Sequence, residues 1–261
     1  MPPSPNSPDK ALLTAWLLLG LRHQGERHGW GLVSELRRAG VHVEPGRAYR
    51  ILRSLESAGA LTSRWTAPVS GPRRRGYRIT PSGRRELDEL VADVMAVWQL
   101  NDAFVRAYDA AHGADQPGGP ALQASDAPAA QGTPGDDAHQ RAHPNRGLLA
   151  AWLLLLIEHH ASYGYDLRRA LSDHDVQANP ATMYRLLRKL DETGWLDARW
   201  IAPDRGPRRR LYRLTARGRR NLRDVASIIS AARDTHGAFL HACETRAAAA
   251  TQPASLRQAA S

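Results

Sequence analysis

The sequence predicts a mainly α-helical protein with small β-hairpins, built as two tandem copies of one domain. A shift of 135 residues aligns positions 29–87 with positions 164–222 without a gap, and nearly half of these positions are identical. Within each copy, apolar residues first recur at helical spacing, then alternate, then return to helical spacing. A repeat of this length indicates a tandem pair of domains, each large enough for its own core.

Length, charge and cysteine content narrow the class of protein. The chain has 261 residues, 42% of them hydrophobic, which is enough for two domains that each bury a core. Its 36 Lys and Arg against 26 Asp and Glu give a net charge of +10, which favours a polyanionic partner. The single cysteine, Cys243, cannot form an intrachain disulfide, so we expect a cytoplasmic protein.

Each copy opens with an apolar helix. The run ALLTAWLLLGL after Lys10 has the length of a signal-peptide core, but the near-identical LLAAWLLLLI recurs at residues 148–157, deep inside the chain. Both runs are therefore predicted to be buried first helices that span no membrane, with Trp16 and Trp152 in the core.

Composition sets the domain boundaries. The segment 111–145 is rich in Ala, Gly, Pro, Asp and Gln and has almost no large apolar residues, which is typical of a flexible linker. The predicted domains are therefore 9–110 and 146–245.

Two further helices follow in copy one. A short second helix carries Leu32, Val33 and Leu36 at helical spacing and ends at Gly40. Pro45 opens the third helix, which Gly59 ends. The inward stripe of this third helix is Ala48, Ile51, Leu52 and Leu55, and its outward positions are Arg47, Tyr49, Arg50, Arg53 and Ser57.

The apolar period then changes to two. The segments LTSRW and RRGYRIT flank a turn containing Pro and Gly and predict a hairpin with an arginine-rich second strand. Helices followed by a basic hairpin make a winged helix-turn-helix. Trp65 and Trp200 occupy the same strand position in the two copies and are predicted to pack in the hairpins.

Thr80 and Pro81 cap a last helix whose inward positions alternate in steps of four and three, as in a coiled coil. We expect the two last helices to pair within the chain as a covalent pseudo-dimer, with further dimerisation of chains left open. The pairing positions are Leu87, Val91, Val94, Trp98, Asn101, Val105 and Tyr108 in copy one, and Leu222, Ala226, Ile229, Arg233, His236, Leu240 and Cys243 in copy two.

These motifs together resemble the PadR-like family of transcriptional regulators. The matching segments are His28-Gly29-Trp30, Pro45 to Leu61, Pro72 to Tyr77 and Thr80 to Leu87, with Tyr163-Gly164-Tyr165, Pro180 to Leu196, Pro207 to Tyr212 and Thr215 to Leu222 in copy two. Such regulators usually have one domain per chain and form homodimers, so the tandem arrangement departs from the family pattern. The resemblance implies a winged helix that binds duplex DNA and a last helix that dimerises.

A helix in the major groove needs donors that reach phosphates and base edges, and the planar fork of arginine serves both. All but two of the 36 basic residues are arginine. An ordinary solvated helix face is the alternative for the helical arginines, and partial burial against the hairpin is the alternative for the two tyrosines. The predicted DNA contacts are Arg47, Tyr49, Arg50, Arg53, Arg73, Arg74 and Arg75 in copy one, and Thr182, Tyr184, Arg185, Arg188, Lys189, Arg208, Arg209 and Arg210 in copy two.

The two copies differ at two outward positions of this third helix. Arg47 corresponds to Thr182, and Ser54 corresponds to Lys189. We therefore expect the two domains to read unequal half-sites. Because alternation sends neighbouring strand residues to opposite faces, only one or two arginines of each hairpin triplet can face a groove.

Other functions find little support in the residues. No serine, carboxylate and histidine set recurs in the two copies, no Walker-type loop is present, and the histidine pairs at 159–160 and 139–143 lack a third ligand. We predict no enzyme, cofactor or metal site. The resemblance implies sensing of a small planar aromatic compound near Trp98 and Arg233, with simple packing of Trp98 as the alternative.

The prediction is a transcriptional repressor that binds a two-half-site operator on double-stranded DNA. The alternatives are a winged-helix scaffold for protein or RNA, and a ligand sensor in which one domain no longer binds DNA.

Overall fold

The computed structural model describes residues 10–23, 25–66, 73–113, 146–159, 162–202 and 208–251. Most of the predicted linker, residues 114–145, lies outside the described residues. Over the described ranges each copy contains helices around one small antiparallel sheet, so the predicted fold class is confirmed.

The elements follow the same order in both copies. Copy one forms α1 (Lys10–Arg22), β1 (Arg27–His28), α2 (Gly29–Arg38), α3 (Pro45–Ser57), β2 (Leu61–Thr66), β3 (Arg74–Ile79) and α4 (Pro81–His112). Copy two forms α5 (Arg146–His159), β4 (Ser162–Tyr163), α6 (Gly164–Asp173), α7 (Pro180–Glu192), β5 (Leu196–Ile201), β6 (Arg209–Leu214) and α8 (Ala216–Thr251).

The sheets contain one strand that the sequence does not predict. β1 and β4 pair antiparallel with the second hairpin strand, which gives the orders β1-β3-β2 and β4-β6-β5. Each of these strands has two residues, too few to show an alternating pattern. They tie the turn before the second helix to the hairpin.

The described residues form two compact units, each with one winged helix-turn-helix. Unit 1 is drawn from residues up to Gln99 and from Ser230 onward, and unit 2 from Leu100–Ile229. Each unit therefore contains the end of the other copy's long helix. The predicted domains, 9–110 and 146–245, instead follow the sequence repeat.

An aromatic pair anchors this helix end in each unit. In unit 1, Phe239 of α8 packs edge to face on Trp16 of α1, with ring centroids 5.3 Å apart. In unit 2, Phe104 of α4 packs in the same way on Trp152 of α5 at 5.5 Å. All four side chains are buried, which confirms the prediction that the two tryptophans belong to the core.

The long helices begin at a cap that the sequence motif Thr-x-x-Gly encodes. The Thr80 hydroxyl accepts a hydrogen bond from the Gly83 N–H at 3.1 Å and donates to the Gly59 carbonyl at 2.8 Å. A Cβ at Gly83 would lie 2.2 Å from the Ala60 carbonyl oxygen, so only glycine lets the helix start this close to the hairpin. Thr215 and Gly218 repeat the arrangement.

Candidate nucleic-acid interface

The third helix of each copy has a buried apolar stripe and a polar outward face. The stripe in α3 is the predicted one, Ala48, Ile51, Leu52 and Leu55, and in α7 it includes Met183, Leu187 and Leu190. Among the predicted contact residues, Arg50, Arg53, Tyr184, Arg185, Arg188 and Lys189 are exposed, and Arg47, Tyr49 and Thr182 are half-buried.

The tyrosine of each third helix packs on the glycine that begins the second helix. A Cβ on Gly29 would lie 2.4 Å from Cε1 of Tyr49, and a Cβ on Gly164 would lie 2.5 Å from Cε1 of Tyr184. The glycine in the His-Gly-Trp and Tyr-Gly-Tyr motifs therefore makes room for the tyrosine ring. Tyr49 is half-buried, whereas the Tyr184 side chain keeps 47% exposure.

The outward faces of the two third helices differ in detail. In α7, Arg185 is held by its own helix: its Nε donates to the Ala181 carbonyl at 3.3 Å and its guanidinium NH2 donates to the Thr182 hydroxyl at 3.2 Å. In α3 no threonine stands at the corresponding position. There, an open cleft of about 400 Å³ is lined by Lys10, Arg47, Arg50, Ile51 and Ser54.

The three arginines at the start of each second hairpin strand are divided between solvent and the third helix. Arg73, Arg74, Arg208 and Arg209 are exposed. Arg75 and Arg210 are half-buried and bind carboxylates of the third helix, Glu56 at 2.7 Å and Asp191 at 2.6 Å. Neighbouring strand residues point to opposite faces. The third arginine of each triplet therefore points toward the third helix and forms an ion pair there.

The prediction that Trp65 and Trp200 pack in the hairpins is wrong, because these side chains are 64% and 66% exposed. Along β2, burial falls from Leu61 through Ser63 to Trp65 on one face, since the hairpin extends outward from the core. The strand register pairs Trp65 with Arg75 and Trp200 with Arg210. Each hairpin therefore presents an indole beside its arginines.

A second exposed aromatic lies on the other side of the hairpin in copy one. Trp30, from the start of α2, is 55% exposed, and the guanidinium of Arg74 lies over its ring at 5.6 Å from the centroid. In copy two, Tyr165 occupies the corresponding position and Arg168 lies over its ring. The sequence motif contains these residues, but only the fold brings Trp30 to the hairpin.

The predicted effector residues both lie in unit 1. Trp98 is half-buried against the core, and a Cβ on Gly237 of α8 would lie 3.1 Å from its indole nitrogen. Arg233 donates two hydrogen bonds to Asp234, at 3.0 and 2.8 Å. Trp98 thus has a packing partner, and its role toward an effector stays a prediction.

Burial shifts the pKa of one tyrosine in each hairpin and of the cysteine. Burial, more than any charge, raises the pKa of Tyr77 and of Tyr212, which therefore keep their hydroxyl protons at physiological pH. Burial also raises the pKa of the Cys243 thiol to about 11, which suppresses the thiolate that a nucleophile needs.

The described residues offer neither a metal-binding cluster nor a membrane-spanning helix. That part of the chain holds no cluster of three or more His, Cys, Asp or Glu side chains arranged to bind a metal ion. Its helices include none with the length and apolar character needed to cross a bilayer.

The fold and this repeated basic face define a tandem winged helix-turn-helix protein. The family model described as the transcriptional regulator PadR-like family matches residues 18–89 and again residues 153–224. The chain therefore belongs to the PadR-like family of transcriptional regulators, as a tandem duplication.

The chain is also similar to individual proteins. The transcriptional regulator Rv3488 of Mycobacterium tuberculosis is 43% identical over 77 residues, which cover 27% of this chain and 71% of that protein. A PadR-like transcription factor from Bacteroides fragilis is 27% identical, with a TM-score of 0.30 over 31% of this chain and 80% of that one. Bacillus subtilis PadR, solved in complex with operator DNA, is 15% identical, with a TM-score of 0.29 over 93% of this chain and 98% of that one.

Proposed function

We propose that the protein is a non-enzymatic, cytoplasmic repressor that binds double-stranded DNA through both of its winged helices. The observation that carries this proposal is the repeated outward face: each copy exposes two arginines on its third helix and two arginines at the start of the adjacent hairpin strand. A like-charge cluster of this kind gains nothing for folding, whereas it suits a polyanion. Membership of a family of transcriptional regulators supports the same conclusion.

In this proposal each third helix enters a major groove. Arg50 and Arg185 reach base edges or phosphates, and the tyrosine hydroxyls hydrogen bond to phosphates and fix the helix without reading sequence. The hairpin arginines Arg73 and Arg74 follow the backbone or the minor groove, whose negative potential attracts guanidinium groups. Arg208 and Arg209 do the same in copy two.

The exposed indoles extend this interface. Trp65 and Trp200 stand beside the hairpin arginines in both copies, and both side chains are largely exposed. An indole N–H is suited to a phosphate oxygen, and its ring is suited to the sugars that border it.

One chain is proposed to occupy two half-sites as a covalent pseudo-dimer. Each of the two long helices contributes residues to both compact units, so that one polypeptide completes both winged-helix cores. Occupying an operator that overlaps a promoter would repress transcription. The two third helices differ where Arg47 corresponds to Thr182 and where Ser54 corresponds to Lys189. These differences favour half-sites of unequal sequence.

The experiment is selection of binding sites from a random duplex library by the full chain, followed by hydroxyl-radical footprinting on the selected duplex. The proposal expects two protected half-sites centred about 34 Å, one helical turn, apart. One protected half-site would favour a sensor in which one domain has lost DNA binding. Failure to select any duplex would favour a scaffold for protein or RNA.

We further propose that a small planar aromatic compound releases the protein from DNA. Trp98 offers an indole at the place where α4 and α8 meet within unit 1. The test is titration of the DNA complex with a panel of such compounds, using the wild type and Trp98→Phe. If a compound releases the DNA and Trp98→Phe weakens that release, the result supports an effector site at Trp98. If no compound releases the DNA, the effector proposal fails.

A further inference from the structure

The hairpin and the third helix of copy one are joined by a closed hydrogen-bond network. One NH2 group of Arg75 on β3 donates to both carboxylate oxygens of Glu56 on α3, at 2.9 and 2.7 Å. The Nε of the same arginine donates to the Ser63 hydroxyl on β2 at 2.8 Å, and this hydroxyl donates to Glu56 at 2.6 Å. The ring closes because Arg75, Ser63 and Glu56 each bond to the other two.

Copy two contains the same clamp with one member missing. Arg210 donates to Asp191 at 2.6 Å, and the other oxygen of Asp191 accepts the Ala198 N–H at 3.2 Å. Ala198 stands where copy one has Ser63. The Nε of Arg210 is consequently buried without a hydrogen-bond partner in the described part of the chain.

We propose that these arginine–carboxylate clamps position each hairpin on its third helix, and that the clamp of copy two is the looser one. This inference rests on the proposed function, in that the positioned surfaces are the DNA-contacting ones. Arg74 directly precedes Arg75 on β3, and Glu56 is the penultimate residue of α3. Fixing Arg75 to Glu56 therefore sets where the exposed Arg73 and Arg74 stand relative to Arg50 and Arg53.

The alternative is that Arg75 itself contacts a phosphate and that Glu56 merely restrains it. The two possibilities predict opposite signs for Glu56→Gln, which keeps the side-chain shape and removes its negative charge. If Arg75 is a contact, the substitution frees a cation and removes a repulsive anion, so DNA affinity rises. If Arg75 is a positioning residue, the weakened clamp lets the hairpin move and affinity falls despite the more favourable net charge.

The experiment measures the affinity of the full chain for its selected duplex by fluorescence anisotropy, with hydroxyl-radical protection under the hairpin as the second readout. Glu44→Gln is the matched control, because Glu44 precedes α3, makes no side-chain cap and is remote from the clamp. We expect Glu56→Gln to weaken binding by about threefold to tenfold and to blur the hairpin protection. We expect Glu44→Gln to leave the protection pattern intact and affinity unchanged or higher.

Glu56→Asp, which copies the carboxylate of the second domain, should restore most of the affinity that Glu56→Gln loses. Affinity of Glu56→Gln equal to or above that of Glu44→Gln would overturn the positioning role.

A second experiment tests the inequality of the clamps without DNA. Arginine Nε–H signals in ¹⁵N-resolved NMR spectra of the full chain report whether that proton is hydrogen bonded. We expect the Arg75 signal to exchange slowly with water and the Arg210 signal to exchange at least about tenfold faster. Ala198→Ser should supply the missing acceptor and slow the Arg210 signal, and Ser63→Ala should accelerate the Arg75 signal.

The proposal that the clamp of copy two is looser would be overturned by equal exchange rates of the two arginines in the wild type. It would also be overturned if Ala198→Ser left the Arg210 exchange rate unchanged. This outcome is independent of the proposed function, which fails instead if no duplex is selected.

Discussion

Phe239→Ala tests whether the end of α8 completes the core that α1 builds. Phe239 is fully buried and packs edge to face on Trp16 with ring centroids 5.3 Å apart. Replacing such a ring with alanine removes buried apolar surface and leaves a cavity, which typically lowers the free energy of unfolding by about 3–5 kcal/mol. Loss of the contact between the two rings accounts for about 0.5–1.5 kcal/mol of this. That is a large fraction of the stability of a small domain.

The assay combines urea unfolding with backbone hydrogen exchange. We expect the free energy of unfolding to fall by about 3 kcal/mol or more, and amide exchange in α1 to accelerate by about a hundredfold, because α1 loses its cover. Ile228→Ala on the same helix is the control, since Ile228 is 60% exposed and its loss should change stability by less than about 0.5 kcal/mol. A cost for Phe239→Ala below about 1 kcal/mol, with unchanged exchange in α1, would refute this packing.

Three further predictions concern single features. Gly29→Ala places a methyl group 2.4 Å from Cε1 of Tyr49 and should lower the free energy of unfolding by about 1–3 kcal/mol in urea titrations; a neutral substitution would mean that the ring does not pack there. Arg73→Ala with Arg74→Ala should reduce the slope of log affinity against log salt by about 1–2, and an unchanged slope would remove the hairpin from the interface. Cys243, with its pKa raised to about 11, should react with a thiol reagent at pH 8 about a hundredfold more slowly in the folded protein than in urea, and equal rates would contradict its burial.

The fold follows closely from the sequence because its signals are local. Pro45 and Gly59 bound the third helix, Thr80 caps the long helix, and the apolar period changes where the hairpin begins. The repeat itself doubles each signal. What the sequence could not reveal is that Phe239 of the last helix packs on Trp16 near the chain's start, since apolar spacing identifies a buried face without naming its partner.

The site is less well predicted because exposure and pairing depend on tertiary contacts. The outward arginines of the third helices could be read from helical periodicity. Trp65 was predicted to pack because Trp200 occupies the same strand position in copy two, but the hairpin carries both residues beyond the core. Strand alternation predicted that only one or two of Arg73, Arg74 and Arg75 face outward, but it could not reveal that Glu56 and Ser63 bind Arg75. The recurrence of an acidic residue at positions 56 and 191 was the one signal that could have indicated the clamp.

In the proposed pseudo-dimer, one chain supplies both DNA-binding surfaces. Native mass spectrometry of the protein with its selected duplex tests this arrangement, because the method counts chains in the complex. We expect one chain of 28.7 kDa bound to one duplex that contains both half-sites. A complex that requires two chains to protect the same two half-sites would contradict the pseudo-dimer.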